Sequence, residues 1–313
     1  GNIEKTRTNN FLQSNQFDTS WDLVNSASIT SGQAGYDGTN NAWLLNSSLS
    51  GGYLRQNLSG VSGMNTYSFY VKEGTVDWVQ LTGFGNTYFD LSGSGAIGTT
   101  SAIAKIESAG GGWFRCSVAG DTSPSQVRIY PASADGVNAS GTIYIQDAQI
   151  EPGLVATNVI TTTTAAVSVG SVDNMPRLNY TPGSATSCPS LLLEPQRTNL
   201  IQQSEYFGGS YWTKSNSSIV INNAISPDGS MNASKLIENS NNSGHICFNA
   251  QSGSSKTFSF FAKSAGNQYV AISYDGGTNF NFFDIKNGIL GNLADANRTS
   301  KIEHYGNGWY RCS

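Results

Sequence analysis

The 313-residue chain carries a formal net charge of −4, with 12% charged and 38% hydrophobic residues. That balance offers no basic surface for nucleic acid, and no run reaches the roughly 18 to 20 apolar residues of a membrane span, so neither nucleic-acid binding nor membrane insertion is expected. The length suits about two domains, and a surplus of Gly, Ser, Thr and Asn favours turns and strands over helices.

Taken in order, the chain reads as one unit written twice. Ile3-Glu4-Lys5-Thr6-Arg7-Thr8-Asn9 returns as Leu193-Glu194-Pro195-Gln196-Arg197-Thr198-Asn199, an offset of 190 between Arg7 and Arg197. Phe11, Leu12, Phe17 and Trp21 anchor the opening of the first copy, and Ile201, Tyr206, Phe207 and Trp212 that of the second. Each copy then reaches an Asp-Gly turn, Asp37-Gly38 and Asp228-Gly229, where glycine takes positive φ without steric cost. Residues 67–72 pair with 258–263 and are apolar on both faces, which predicts a central strand. Residues 78–81 pair with 269–272, 88–91 with 282–285, 104–107 with 300–303, and 112–117 with 308–313. The offset has grown only to 196 between Cys116 and Cys312. Insertions are therefore confined to loops, the mark of a duplicated folded unit.

Short β-rich runs punctuated by Gly, Asn, Asp and Ser every 8 to 12 residues or so predict an all-β fold of tandem jelly-roll-like β-sandwiches. The first module spans 1–160, an extended Thr- and Pro-bearing connector spans 161–196, and the second module spans 197–313. The first copy has two more strand-like runs, 126–130 and 141–151, with no counterpart in the second. The second module is thus incomplete, and an opened sheet predicts a polypeptide continuing about 35 to 40 residues past Ser313, or a strand donated by a neighbour. In the connector and just before it, Val159, Ile160, Val167, Val169 and Leu178 are too apolar for a free linker and predict a strap lying on a sandwich.

The chemistry is mostly negative. His245 and His304 both lie in the second copy, and neither a zinc-hydrolase nor a serine-hydrolase motif occurs. Alternation places Phe114, Cys116 and Val118 on one strand face, so Cys116 and its counterpart Cys312 read as reduced core residues. Gly93-Ser94-Gly95-Ala96-Ile97-Gly98 matches a dinucleotide-loop pattern but leads into a strand, which makes it a hairpin loop. The repeated acids Asp37/Asp228, Asp90/Asp284 and Glu107/Glu303 leave paired-carboxylate glycoside hydrolysis open. No cofactor is expected beyond a structural calcium that the oxygen-rich loops 135–138 and 275–279 would suit. Aromatic residues are the surplus. Trp78, Tyr88, Trp113, Tyr130, Tyr269, Tyr274 and Trp309 are the candidate platform for sugar rings, with Arg115 and Arg311 one pleat from Trp113 and Trp309 for stacking on the indole.

The run Ser190-Leu191-Leu192-Leu193-Glu194-Pro195-Gln196-Arg197-Thr198-Asn199-Leu200 resembles repeated modules of tailed-bacteriophage virion proteins. So do Gln203-Ser204-Glu205-Tyr206-Phe207, Ser226-Pro227-Asp228-Gly229 and Asn307-Gly308-Trp309-Tyr310-Arg311-Cys312-Ser313, while Ile145-Gln146-Asp147-Ala148-Gln149-Ile150-Glu151-Pro152-Gly153 is similar to their closing strand. The resemblance implies a carbohydrate-binding or concanavalin-like lectin sandwich on fibres or decorations of a phage particle. It carries over no functional residue. The expected function is non-enzymatic attachment to host cell-surface polysaccharide by a homo-oligomer, a trimer if a fibre, that also contacts other virion subunits at the virion surface. A purely structural spacer and a tailspike-like glycan hydrolase are the alternatives.

Overall fold

In the computed structural model, described residues are 5–170, 178–179, 188, 190–191, 198–239, 244–249, 257–273, 277, 279–294 and 298–313. Among them there is no helix, and none is long and apolar enough to cross a membrane. The chain divides into two compact units, Lys5–Leu200 and Ile201–Ser313.

The first unit runs β1 (Arg7–Asn9), β2 (Asp22–Val24), β3 (Ala27–Gln33), β4 (Ala42–Ser47), β5 (Tyr53–Asn57), β6 (Met64–Glu73), β7 (Trp78–Thr82) and β8 (Asn86–Asp90). It continues with β9 (Ala96–Thr100), β10 (Ile103–Gly110), β11 (Trp113–Asp121), β12 (Gln126–Ala134), β13 (Val137–Asn138), β14 (Gly141–Pro152), β15 (Val167–Val169), β16 (Leu178–Asn179) and β17 (Ser190–Leu191). Two antiparallel sheets face each other, ordered β10-β11-β6-β14-β4-β3 and β2-β5-β12-β7-β8-β9, with β13 on β12. Alternation delivers the inner faces: Tyr67, Phe69 and Val71 of β6 and Ile143 and Ile145 of β14 meet Val79 and Leu81 of β7 and Ile129 of β12, all fully buried. As its doubly apolar sequence predicts, β6 is central, between β11 and β14.

Residues 161–170 lie on this sandwich. Thr162 is 3% exposed; its hydroxyl donates to the Phe11 carbonyl at 2.6 Å, its amide donates to Ser14 Oγ, and β15 pairs with β1. The repeated triplet Arg7-Thr8-Asn9 has a visible job here. Asn9 is wholly buried, donates to the carbonyls of Ala148 and Ile160, and accepts the amides of Phe11 and Ile150, so it ties the start of the unit to β14 and the strap.

The second unit holds β18 (Thr213–Ser215), β19 (Ser217–Ala224), β20 (Ala233–Glu238), β21 (Ile246–Phe248), β22 (Phe260–Lys263), β23 (Tyr269–Ser273), β24 (Phe280–Asp284), β25 (Ile289–Leu293), β26 (Ile302–Gly306) and β27 (Trp309–Cys312). Its ladders are β18-β21, β19-β20, β22-β27-β26 and β23-β24-β25. These repeat β2-β5, β3-β4, β6-β11-β10 and β7-β8-β9, the four pieces into which the first unit's sheets would fall without β12 and β14. The second copy repeats those four ladders, and among the described residues they are not joined into two sheets.

Candidate binding face

The outer face of the six-stranded sheet is built by register. Across the strands, Trp113 pairs with Lys72 and Lys72 with Tyr144; one step along, Arg115 pairs with Tyr70 and Tyr70 with Gln146. Over this second row the loop after β3 lays Tyr36, its ring 3.6 Å from that of Tyr70 at 4°, a parallel stack. Trp113 touches Tyr36 at 6.4 Å and Tyr144 at 6.5 Å between ring centres. The Arg115 guanidinium lies 5.4 Å from the centre of Tyr70 and donates to Ser68 Oγ at 3.1 Å. It therefore stacks on tyrosine and not, as the pleat suggests, on Trp113.

A break in β14 completes the site. The register slips between Gln146 and Gln149, and Asp147 sits at φ +48°; such bulges and left-handed residues re-aim side chains near functional surfaces. Asp147 accepts the Tyr36 hydroxyl at 2.8 Å. Burial, with Asp37 nearby, holds the Asp147 carboxyl above its ordinary range despite that bond and Arg115. Burial and Asp147 in turn raise the Tyr36 phenol. Gln146, fully buried, accepts the Tyr36 amide and donates to Asn41. The result is a partly exposed set of aromatic edges flanked by two cations, Lys72 and Arg115, and the Asp147 carboxyl, a surface able to hold a ring and its hydroxyl groups.

The candidates named from sequence divide between the two sheets. Trp113 joins the face just described but is 3% exposed. Tyr130 and Tyr88 come together on the outer face of the other sheet, in a row Tyr53, Tyr130, Gln80, Tyr88, with Tyr53 and Tyr130 4.6 Å apart and each tyrosine under 10% exposed. Trp78 is half-buried one register row away, opposite Ala132. Tyr269 is exposed, Trp309 is half-buried, and Tyr274 lies outside the described residues. Sequence reading missed Tyr36, Tyr70, Tyr144 and Asp147. A signal for Asp147 existed, since the apolar alternation changes phase between Ile143-x-Ile145 and Ala148-x-Ile150.

The first face recurs in the second unit. Arg311 donates to Ser259 Oγ at 3.3 Å, as Arg115 does to Ser68, and Lys263 pairs with Trp309 as Lys72 does with Trp113. There Pro227 replaces Tyr36, and a cleft of about 520 Å³ opens between Pro227, Lys263, Tyr305 and Trp309, whose indole N–H donates to the Ile225 carbonyl at 3.0 Å. Of the row on the other sheet, Gln80 becomes Ala271 in the second unit.

The repeated acids have structural partners. Asp37 accepts the Thr39 amide and Asp228 that of Ser230 in their turns; Asp90 accepts the Ser92 amide and Asp284 those of Lys286 and Asn287; Glu107 and Glu303 pair with Lys105 and Lys301. Asp135, in the oxygen-rich loop 135–138, takes both polar groups of Thr99; Asp275 lies outside the described residues. Among the described residues no three His, Cys, Asp or Glu side chains cluster as metal ligands. Cys116 and Cys312 are fully buried free thiols, and burial pushes Cys312 up to about 12.

No known family matches the chain, and no curated protein matches it. Among solved structures it is similar to the CBM22-1 and GH10 modules of the Clostridium thermocellum endo-1,4-beta-D-xylanase 10B complexed with xylohexaose, at 17% identity and a TM-score of 0.31. That match covers 50% of this chain and 30% of the xylanase chain. A likeness of that extent bears on neither fold nor ligand.

Proposed function

We propose that the chain is a non-enzymatic glycan-binding protein whose sandwich modules attach a bacteriophage particle, as fibre or surface decoration, to host-surface polysaccharide. The observation that carries the binding half is the recurrence of one constellation, tryptophan beside lysine and arginine bonded to serine, on the same sheet face of both units. On both units this constellation lies on the outer side of the sheet, away from the inner faces that form the core. The virion half rests on the sequence resemblance. The engagement of the repeated acids in turns and lysine pairs favours binding over hydrolysis, and two modules per chain in a homo-oligomer would turn weak contacts into avidity.

Binding is tested with host-surface polysaccharide on an array or by pull-down with the intact protein. The wild type is expected to bind, and Tyr36→Ala and Tyr144→Ala to lose at least about tenfold in affinity, the loss of one stacking contact of roughly 1.4 kcal/mol. A protein that folds and assembles yet binds no polysaccharide leaves the spacer reading, which the near-complete burial of Trp113 favours.

A further inference from the structure

We infer that the sugar face takes an acidic polysaccharide, one whose repeat carries a carboxylate or a phosphate beside the stacked ring, with Lys72 and Lys263 reading the negative group. This rests on the glycan reading above and adds the ligand's charge to it. The first unit carries the argument. Lys72 is half-buried and stands in register between Trp113 and Tyr144. Among the described residues its ammonium has no hydrogen-bond or ion-pair partner. Arg115 meets no carboxylate either, since its guanidinium donates to Ser68 Oγ and lies over Tyr70.

The acids around the face are engaged elsewhere. Glu107 pairs in register with Arg115 but forms its ion pair with Lys105 at 2.7 Å. Asp37 is held by Thr39, and Asp147 accepts the Tyr36 hydroxyl. Asp147 follows Gln146, whose register row lies one step from that of Lys72, about 7 Å along the strands. A half-buried cation between two rings with no counter-ion bears a desolvation cost that a ligand anion offsets through a charge-assisted hydrogen bond. The arrangement recurs: Lys263 pairs with Trp309 as Lys72 does with Trp113. Each lysine stem runs past a left-handed glycine, Gly112 at φ +80° and Gly308 at φ +77°, where an added Cβ would come within 3.4 Å of the lysine Cε. Glycine there serves the turn and leaves the stem its path beside the tryptophan. The chain as a whole carries −4, so a polyanion is not drawn to it by net charge and has to find these local cations.

The probe is the polysaccharide that the wild-type chain retains from host-surface material, used as isolated, after carboxyl reduction with carbodiimide and borohydride, and after phosphate removal with hydrofluoric acid. One of the two treatments is expected to lower affinity at least about tenfold, and which one does so tells carboxylate from phosphate. The double variant Lys72→Gln with Lys263→Gln is expected to lose as much on the untreated polymer, without adding to the loss on the neutralised one, whereas Lys72→Arg with Lys263→Arg retains most of the affinity. Added salt is expected to weaken binding of the untreated polymer more than that of the neutralised one. The inference is overturned if both treated forms bind as the untreated one does, or if the glutamine variant binds the untreated form like the wild type; glycan binding by the face then stands, with a neutral ligand. If the wild type retains no polysaccharide at all, the glycan reading itself falls and this one with it.

Discussion

Asn9 shows what one side chain can carry. All four of its hydrogen bonds run to backbone groups in the buried interior, so Asn9→Ala strands two amides and two carbonyls away from water. The expected cost is about 2 to 4 kcal/mol in the first unit's unfolding free energy, read from urea denaturation. Asp147 is a different case. Its carboxyl holds a proton more tightly folded than free, so the folded state binds more protons than the unfolded one just above pH 3.8, and the first unit loses stability as pH rises through the raised value. That deficit persists at neutral pH. Asp147→Asn is expected to leave the melting temperature unchanged at pH 3 and to raise it at pH 7, which a pair of melts at the two pH values decides.

Among the elements, the hairpin from β8 to β9 turns on glycine for two reasons. Gly95 has φ +76°, and a Cβ there would lie 2.6 Å from the Phe114 ring, inside the core. Gly95→Ala therefore combines backbone strain with a clash against a side chain that cannot retreat, and about 2 kcal/mol or more of destabilisation is expected by chemical denaturation. The same geometry settles the glycine pattern as a turn and removes any reason to look for a dinucleotide there. In β14 the bulge works the other way: it costs one ladder step and in return turns Asp147 toward Tyr36, placing a carboxyl where a regular strand would have aimed it elsewhere.

Over the whole molecule, the two units differ in how much apolar surface they bury. Among the described residues the first unit's core gathers Phe, Trp, Leu, Ile and Val from both sheets, while the second unit's buried cluster is Ile272, Phe283, Ile285 and Cys312. Buried apolar area is the main favourable term in folding, so urea unfolding is expected in two transitions with the second unit first. A single coincident transition by fluorescence and circular dichroism would show instead that the units unfold as one.

The sequence by itself determined the strands, their alternation, the Asp-Gly turns and the doubling, because each is a local property or a comparison of one stretch with another. Even the phase change in β14 was written in the spacing of Ile143, Ile145, Ala148 and Ile150. Strand order was not, and the candidate face depends on it. Tyr36 and Asp147 lie 111 residues apart and meet only because β14 threads between β4 and β6. Alternation says which side of its own strand Trp113 occupies, but not that Lys72 and Tyr144 stand beside it or that Arg115 turns to Tyr70. That is fixed by the long-range pairing of sheets, where the free energy of burying two inner faces together chooses one arrangement among many that the same local pattern allows.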